Sequence, residues 1–298
     1  MPAKKLFALA VVFASALAVN AQKTKRSVKP AVPPPAIFAV ESGGKSLQLI
    51  ATVENGTLTA GDDDLKEFAN RYYKPMTSYR LIFGGADAGT VNVSSSNHAR
   101  ECAGNSAVSI TNSKTAKLSD AVMAIATNAP LKFVETGVRR RPSATERAEL
   151  EKLVRAELAK QKVGTAALKV LQYQNLTALD INNDGTPEFV GSYWVSASEN
   201  ERDLLYFIAQ KQSTGGYKFG YSDFSKVTPD ETMSGDITDL DKGIGHELLL
   251  DVLDYDGDGN AEIFTIQRAY EGDNFHVYKV ENGVWKRVFE TYNYRCAY

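Results

Sequence analysis

Two acidic loops of one design, each leaving a β-like run and entering another, constrain this chain more than any other feature. The downstream loop lies in DVLDYDGDGNAEIFTI, residues 251–266, where Asp254, Asp256 and Asp258 alternate, Gly259 follows and Glu262 comes three residues later. The upstream loop, in LDINNDGTPEFVGSYW, sets Asp180, Asn182, Asp184, Gly185 and Glu188 at the same positions. Carboxylates at positions 1, 3 and 5 of a tight loop converge their oxygens on one point, and glycine at position 6 permits the sharp turn. That is how a chain builds an all-oxygen shell for a hard cation such as Ca²⁺.

The expected donors follow from position. In the second loop Asp254, Asp256 and Asp258 offer side-chain oxygens, Asn260 its backbone carbonyl, and Glu262 a carboxylate directly or through water. The first loop offers Asp180, Asn182, Asp184, the carbonyl of Thr186, and Glu188. With four carboxylates against three, the second loop is expected to bind Ca²⁺ more tightly. Magnesium suits these loops less, because it demands strict octahedral geometry and keeps its waters. Asp/Asn-Gly loops also make turns through side-chain to backbone hydrogen bonds without an ion.

The two copies match beyond the loop. Residues 178–180 align with 252–254, and 188–190 with 262–264. Downstream, 204–209 corresponds to 275–280, each run followed by a turn, Gly215-Gly216 or Asn282-Gly283, and then by a final run at 217–221 or 284–289. Asn-Gly between β runs is a strong hairpin signal. Each copy therefore reads as about four antiparallel strands that must stack on neighbours to bury both faces. The pattern D-x-[DN]-x-D-G-x-x-E followed by an apolar strand resembles the FG-GAP and VCBS-type repeats. That resemblance implies β-propeller blades in a secreted or cell-surface protein, with loops that bind Ca²⁺. Two copies are fewer than the 4–8 blades of a closed propeller, so residues 36–137 supply degenerate blades or a separate β domain. An EF-hand would need a bidentate Glu at position 12 and flanking helices. Position 12 is Gly191 in one copy and Thr265 in the other, and the residues that follow the glutamates are FVGSYWV and IFTIQRA.

The rest of the chain is expected to divide as follows. Residues 1–21 have the anatomy of a secretory signal: Lys4 and Lys5, an apolar run over 6–19, and small residues before Gln22. The run is shorter than the roughly 20 residues a spanning helix needs, so no stable membrane span is expected after signal removal, and the mature chain is placed outside the cytoplasm, secreted, periplasmic or at the cell surface. Residues 22–35 are a Lys/Pro-rich linker. Residues 36–137 read as a β-rich region, with strands near 37–40, 47–53, 79–83, 90–94, 107–111 and 122–127 and a helix in LKEFANRYY, preceded by Asp62, Asp63 and Asp64 as a helix cap. Residues 138–164 are a helical connector, with a capping box at Ser143 and Glu146 and an end at Gly164. Residues 165–298 hold the repeat pair. The fold class is mainly β, blade-like repeats with one linking helix around 143–162; the alternative is two β domains, a sandwich followed by the repeat pair. Cys102 and Cys296 are the two cysteines, and an oxidising compartment favours their pairing, which the chain-entropy model values at about 4–5 kcal/mol.

A net charge of −2 gives no hint of a nucleic-acid partner, and the basic runs at 23–29 and 139–141 read as solvated linkers. His98, His246 and His276 form no H-E-x-x-H, and no G-x-S-x-G elbow occurs. The expected function is a non-catalytic, calcium-binding module, structural or binding an extracytoplasmic protein or glycan; the alternative is a secreted hydrolase whose site gathers sequence-distant residues. Tyr193, Trp194, Tyr270, Tyr278 and Trp285 serve either a contact surface or the blade cores.

Overall fold

Runs rich in β-branched and aromatic residues fold into three antiparallel sheets in the computed structural model, which describes residues 33–61, 65–94, 106–111, 116–130 and 137–294. The signal and most of the linker, the acidic triplet 62–64, His98, Cys102 and Cys296 lie outside the described residues.

The first sheet takes β1 (Ala36–Glu41), β2 (Ser46–Glu54), β3 (Thr57–Thr59), β4 (Ser78–Phe83), β5 (Ala86–Val93), β6 (Ser106–Thr111) and β7 (Ala124–Thr127), with helix α1 (Leu65–Tyr72) between β3 and β4. Its order is β1-β7-β4-β5-β6-β2-β3, and β1 also pairs with β2, so the sheet curls back on itself. Phe38, Val40, Leu47, Tyr79, Leu81 and Val91 fill the inside of the curl, with Phe68, Tyr72 and Tyr73 at the end of α1 packed among them. The GGADAG turn is shorter than its composition suggests: Gly84 and Gly85, at φ 65 and 74, close the hairpin alone, and β5 begins at Ala86.

The second sheet has the order β12-β11-β10-β9-β8: β8 (Arg139–Arg140) is its edge, α2 (Ala144–Lys160) and the short α3 (Thr165–Leu168) come next in the chain, and β9 (Gln172–Leu179), β10 (Glu188–Ser198), β11 (Glu201–Lys211) and β12 (Tyr217–Val227) complete it. Helix α2 starts where the capping box places it: the Glu146 N–H donates to Ser143 Oγ at 3.2 Å, and the Ser143 N–H to Glu146 Oε2 at 2.7 Å. Its end differs from the sequence expectation. Lys162, at φ 66, takes the left-handed position, the Val163 N–H donates to the Leu158 carbonyl and the Lys162 N–H to that of Ala159. Leu158 and Val163 then pack together in the core, a Schellman ending with lysine where glycine usually stands. Gly164 caps α3 instead.

After a short helix α4 (Thr238–Asp241), the third sheet is a plain meander of β13 (Glu247–Leu253), β14 (Glu262–Arg268), β15 (Gly272–Glu281) and β16 (Val284–Tyr294). Each repeat thus has four antiparallel strands with the acidic loop joining its first two, and the fold is mainly β with one long linking helix. The third sheet lies between the other two. On β14 and β15, Phe264, Ile266, Phe275 and Val277 face the first sheet's Ile37, Ile50, Ile82 and Ile125. The alternate residues Ile263 and Tyr278 face Leu179, Val190, Tyr206 and Ile208 of the second sheet. This is the period of two along a strand, here with both faces apolar because both are covered. The outer face of the second sheet is closed by α2 through Leu150, Val154 and Leu158. The sheets form a linear stack, first–third–second, within one compact unit, Pro34–Tyr298.

Of the aromatic residues singled out from the sequence, Tyr193, Tyr278 and Trp285 are buried and Tyr270 is exposed. Arg139, expected in a solvated run, is half-buried with its side chain shielded: its Nη1 donates to the Met123 and Leu250 carbonyls at 2.8 and 2.7 Å and pins the first sheet to the third. Among the described residues no helix is long and apolar enough to cross a membrane.

Candidate metal centre

Both acidic loops leave a strand at leucine, Leu179 or Leu253, and re-enter the sheet at glutamate, which faces that leucine across the ladder. Their backbones follow the same path. Position 4 is left-handed in each, Asn183 at φ 58 and Gly257 at φ 78, and so is the glycine at position 6, Gly185 at φ 80 and Gly259 at φ 93. A Cβ on either position-6 glycine would meet nothing; conformation rather than space requires glycine there.

The hydrogen bonds repeat position by position. The position-1 carboxylate, Asp180 or Asp254, accepts from the N–H of position 5 at 3.2 or 3.1 Å and of position 6 at 3.0 Å in both loops. The position-5 carboxylate accepts from the N–H of position 7, Thr186 at 2.7 Å or Asn260 at 2.9 Å. Oε2 of the closing glutamate accepts from the N–H of position 2 at 3.2 Å, Ile181 to Glu188 and Tyr255 to Glu262. The position-2 side chains point inward and plug the gaps between sheets, Ile181 between second and third, Tyr255 between third and first. The loops also touch, since the Ala261 N–H donates to the Ile181 carbonyl at 3.0 Å.

The glutamates are the buried members. Burial pushes the Glu188 carboxyl up to about 7, with Asp184 and Asp180 adding to the rise against the Ile181 N–H. Glu262 also rises to about 7 through burial, although Lys279 pulls the other way. Oxygens of Asp254, Asp256 and Glu262 lie within 4.8 Å of one another, the one such acidic group among the described residues.

The electrostatics separate the two loops. Lys279, from β15, reaches into the second loop: its Nζ pairs with Asp256, and lies 2.8 Å from Asp258 Oδ2 and 3.0 Å from Glu262 Oε1. Burial works against that ammonium, yet its bonds to Asp256, Asp258 and Glu262 outweigh it and hold Lys279 well above the usual lysine value. The same contact holds Asp258 below the usual carboxylate range. Hence the convergence of the second loop has a cause within the chain, an ammonium among its carboxylates. Net of Lys279, four carboxylates carry the same formal charge as the first loop's three, which removes the charge argument for tighter binding by the second loop. No local sequence signal marks Lys279, because its contact depends on the register of β14 against β15.

The structure places all ten sequence-selected residues on these two loops. The donor chemistry fits a hard cation: carboxylate, amide and carbonyl oxygens, with no sulfur or imidazole. In the first loop Asp180, Asn182, Asp184 and Glu188 would hold it; among the described residues Asp180, Asp184 and Glu188 make no ion pair, and no lysine or arginine offsets the burial that raises the Glu188 carboxyl.

His246 and His276 lie elsewhere. His246 is buried, its Nε2 2.9 Å from the Leu240 carbonyl. His276 belongs to a buried polar knot between the second and third sheets, in which Glu247 Oε1 accepts from Thr265 Oγ1 at 2.5 Å and Tyr278 Oη at 2.7 Å and sits 3.1 Å from His276 Nδ1. A cleft of about 350 Å³ opens beside α4, lined by Leu204, Val227, Met233, Leu240 and Tyr270 among others. No family model, curated protein or solved structure matches the chain.

Proposed function

We propose that this chain is a calcium-binding β-repeat module of the FG-GAP/VCBS kind, acting outside the cytoplasm as a structural or binding unit rather than by catalysis. The observation that carries this reading is the position-by-position match of the two loops in carboxylate placement, left-handed backbone and hydrogen bonding, each closed by a buried glutamate. A turn alone needs neither the alternate acidic side chains nor a buried carboxylate, whose cost is offset when a cation takes its charge. The stack arrangement supports a mechanical role: each loop's position-2 residue is wedged between sheets, so ordering a loop tightens an inter-sheet joint. The partner class proposed is an extracytoplasmic protein or glycan, for which exposed Tyr270 and the adjoining cleft offer aromatic and apolar surface.

Calorimetric titration of metal-freed protein with Ca²⁺ tests the reading, together with melting in excess chelator. With Kd near 10⁻⁴ M, about 10 mM Ca²⁺ would stabilise the native state by about 2.7 kcal/mol. No heat of binding and no chelator effect on Tm would refute it. A glycan array or pull-down, run with and without Ca²⁺, then separates the binding role from the structural one.

A further inference from the structure

Lys279 and Gln210 occupy equivalent places in the two repeats: strand register matches 206–209 with 275–278, two residues on from the correspondence of 204–209 with 275–280 that the sequence suggests. β14 and β15 pair Ile263 with Tyr278, and one step further along Glu262 faces Lys279. β10 and β11 pair Phe189 with Ala209, and the same step sets Glu188 against Gln210. Where the second repeat brings a cation to its loop, the first brings a neutral amide, whose Oε1 turns toward Gly220 instead.

The fit of Lys279 is specific. An ammonium has three N–H donors, and three carboxylates of the loop take them, Asp256, Asp258 and Glu262. The Nζ also lies 5.9 Å from the centre of the Tyr255 ring, the residue that plugs the joint between third and first sheets, so a cation–π attraction acts in the same direction. The side chain is mostly shielded, 16% exposed, which strengthens these contacts relative to those of a surface lysine. Because it is covalently attached, the ammonium is present at the loop whatever the surrounding metal concentration.

We infer that Lys279 is the tethered cation of the second loop, doing for its carboxylates what a bound metal ion would do for the first, so that one repeat is metal-independent and the other metal-dependent. The inference rests on the calcium reading of the first loop for its second half only. Its consequence follows from the stack. The third sheet, on which both other sheets pack, keeps its loop closed in calcium-poor surroundings, while the second sheet's loop responds to calcium and passes the change on through Ile181 and the Ala261 hydrogen bond.

The test is calorimetric titration of the full chain with CaCl₂ after metal removal, with melting in excess chelator alongside. The wild-type protein is expected to take up one Ca²⁺, a site lost in Asp180→Asn and kept in Asp254→Asn. Lys279→Gln, which copies the first repeat, is expected to take up two and to melt below wild type in chelator, with Ca²⁺ restoring it. Lys279→Met keeps an aliphatic stem over Tyr255 and should behave likewise if the glutamine variant folds poorly. Two sites in the wild type, loss of the wild-type site in Asp254→Asn, or no added site in both Lys279 variants would overturn the inference. A wild type that binds none while Lys279→Gln binds one would refute the calcium reading of the first loop and leave the tethered cation standing.

Discussion

Arg139 Nη1 lies 2.9 Å from Asp251 Oδ2, and the two side chains are 8% and 0% exposed. Around this pair the first and third sheets are tied: Asp251 also accepts from the Gly84 N–H at 2.9 Å and from the Gly85 N–H at 3.3 Å. Burial raises the Asp251 carboxyl, and the Arg139 charge opposes that rise. Removing one partner strands the other charge in the interior. Asp251→Ala is therefore expected to cost about 3–5 kcal/mol, read as a fall in the urea midpoint with the slope unchanged.

Gly191 lies on β10 beneath Phe207. A Cβ there would stand 2.4 Å from Phe207 Cζ and 2.7 Å from its Cε1, and the ring is stacked against Tyr193 on one side and close to Phe219 on the other. Gly191→Ala should lower stability by about 1–3 kcal/mol through overpacking, measured by thermal or denaturant unfolding.

Lys162 ends α2 in the left-handed region at φ 66, where a Cβ costs about 1–2 kcal/mol relative to glycine's freedom. Its N–H bond to Ala159 is a backbone bond and survives substitution. Lys162→Gly is expected to raise stability by roughly 0.5–1 kcal/mol, part of the strain relief being lost to the greater entropy of the unfolded glycine. A small rise in Tm would be the readout.

His246 is held down to about 4, chiefly by burial, against the pull of the Leu240 carbonyl and Asp241. A folded pKa below the unfolded value of about 6.5 means the unfolded chain binds the proton more readily. The contribution to stability is complete above pH 6.5 and is lost as pH falls toward 4, by up to about 3 kcal/mol. The Glu188 and Glu262 carboxyls, raised to about 7, act in the opposite sense in metal-free protein, regaining stability as pH falls from 7 toward 4.5. The comparison that isolates His246 is wild type against His246→Gln across pH 7 to 4: the variant should lose less stability on acidification.

Local chemistry accounts for most of what could be read in advance. The loops, their glycines, the capping box at Ser143 and the Asn282-Gly283 hairpin depend on residues within a few positions of one another, and each is found where spacing placed it. The strands of both repeats follow for the same reason, since period and β-branching act along the chain. The misplaced features are those a neighbouring segment decides. Gly164 lost the helix end to Lys162 because burying Val163 against Leu158 rewarded the earlier turn. Arg139 left the solvated run because Asp251, Met123 and Leu250 arrive from other strands to meet it.

The acidic loops divide along the same line. By itself the sequence determined their existence, their turn geometry and their oxygen donors, because a D-x-[DN]-x-D-G-x-x-E stretch folds by its own side-chain to backbone hydrogen bonds. Tertiary structure alone decided their electrostatics. Counting carboxylates ranks the second loop first; the register of β14 on β15 then sets Lys279 into it, while the matching register of β10 on β11 sets Gln210 by the first. Charge acts through space rather than along the chain, so which loop lacks a cation is a property of strand pairing.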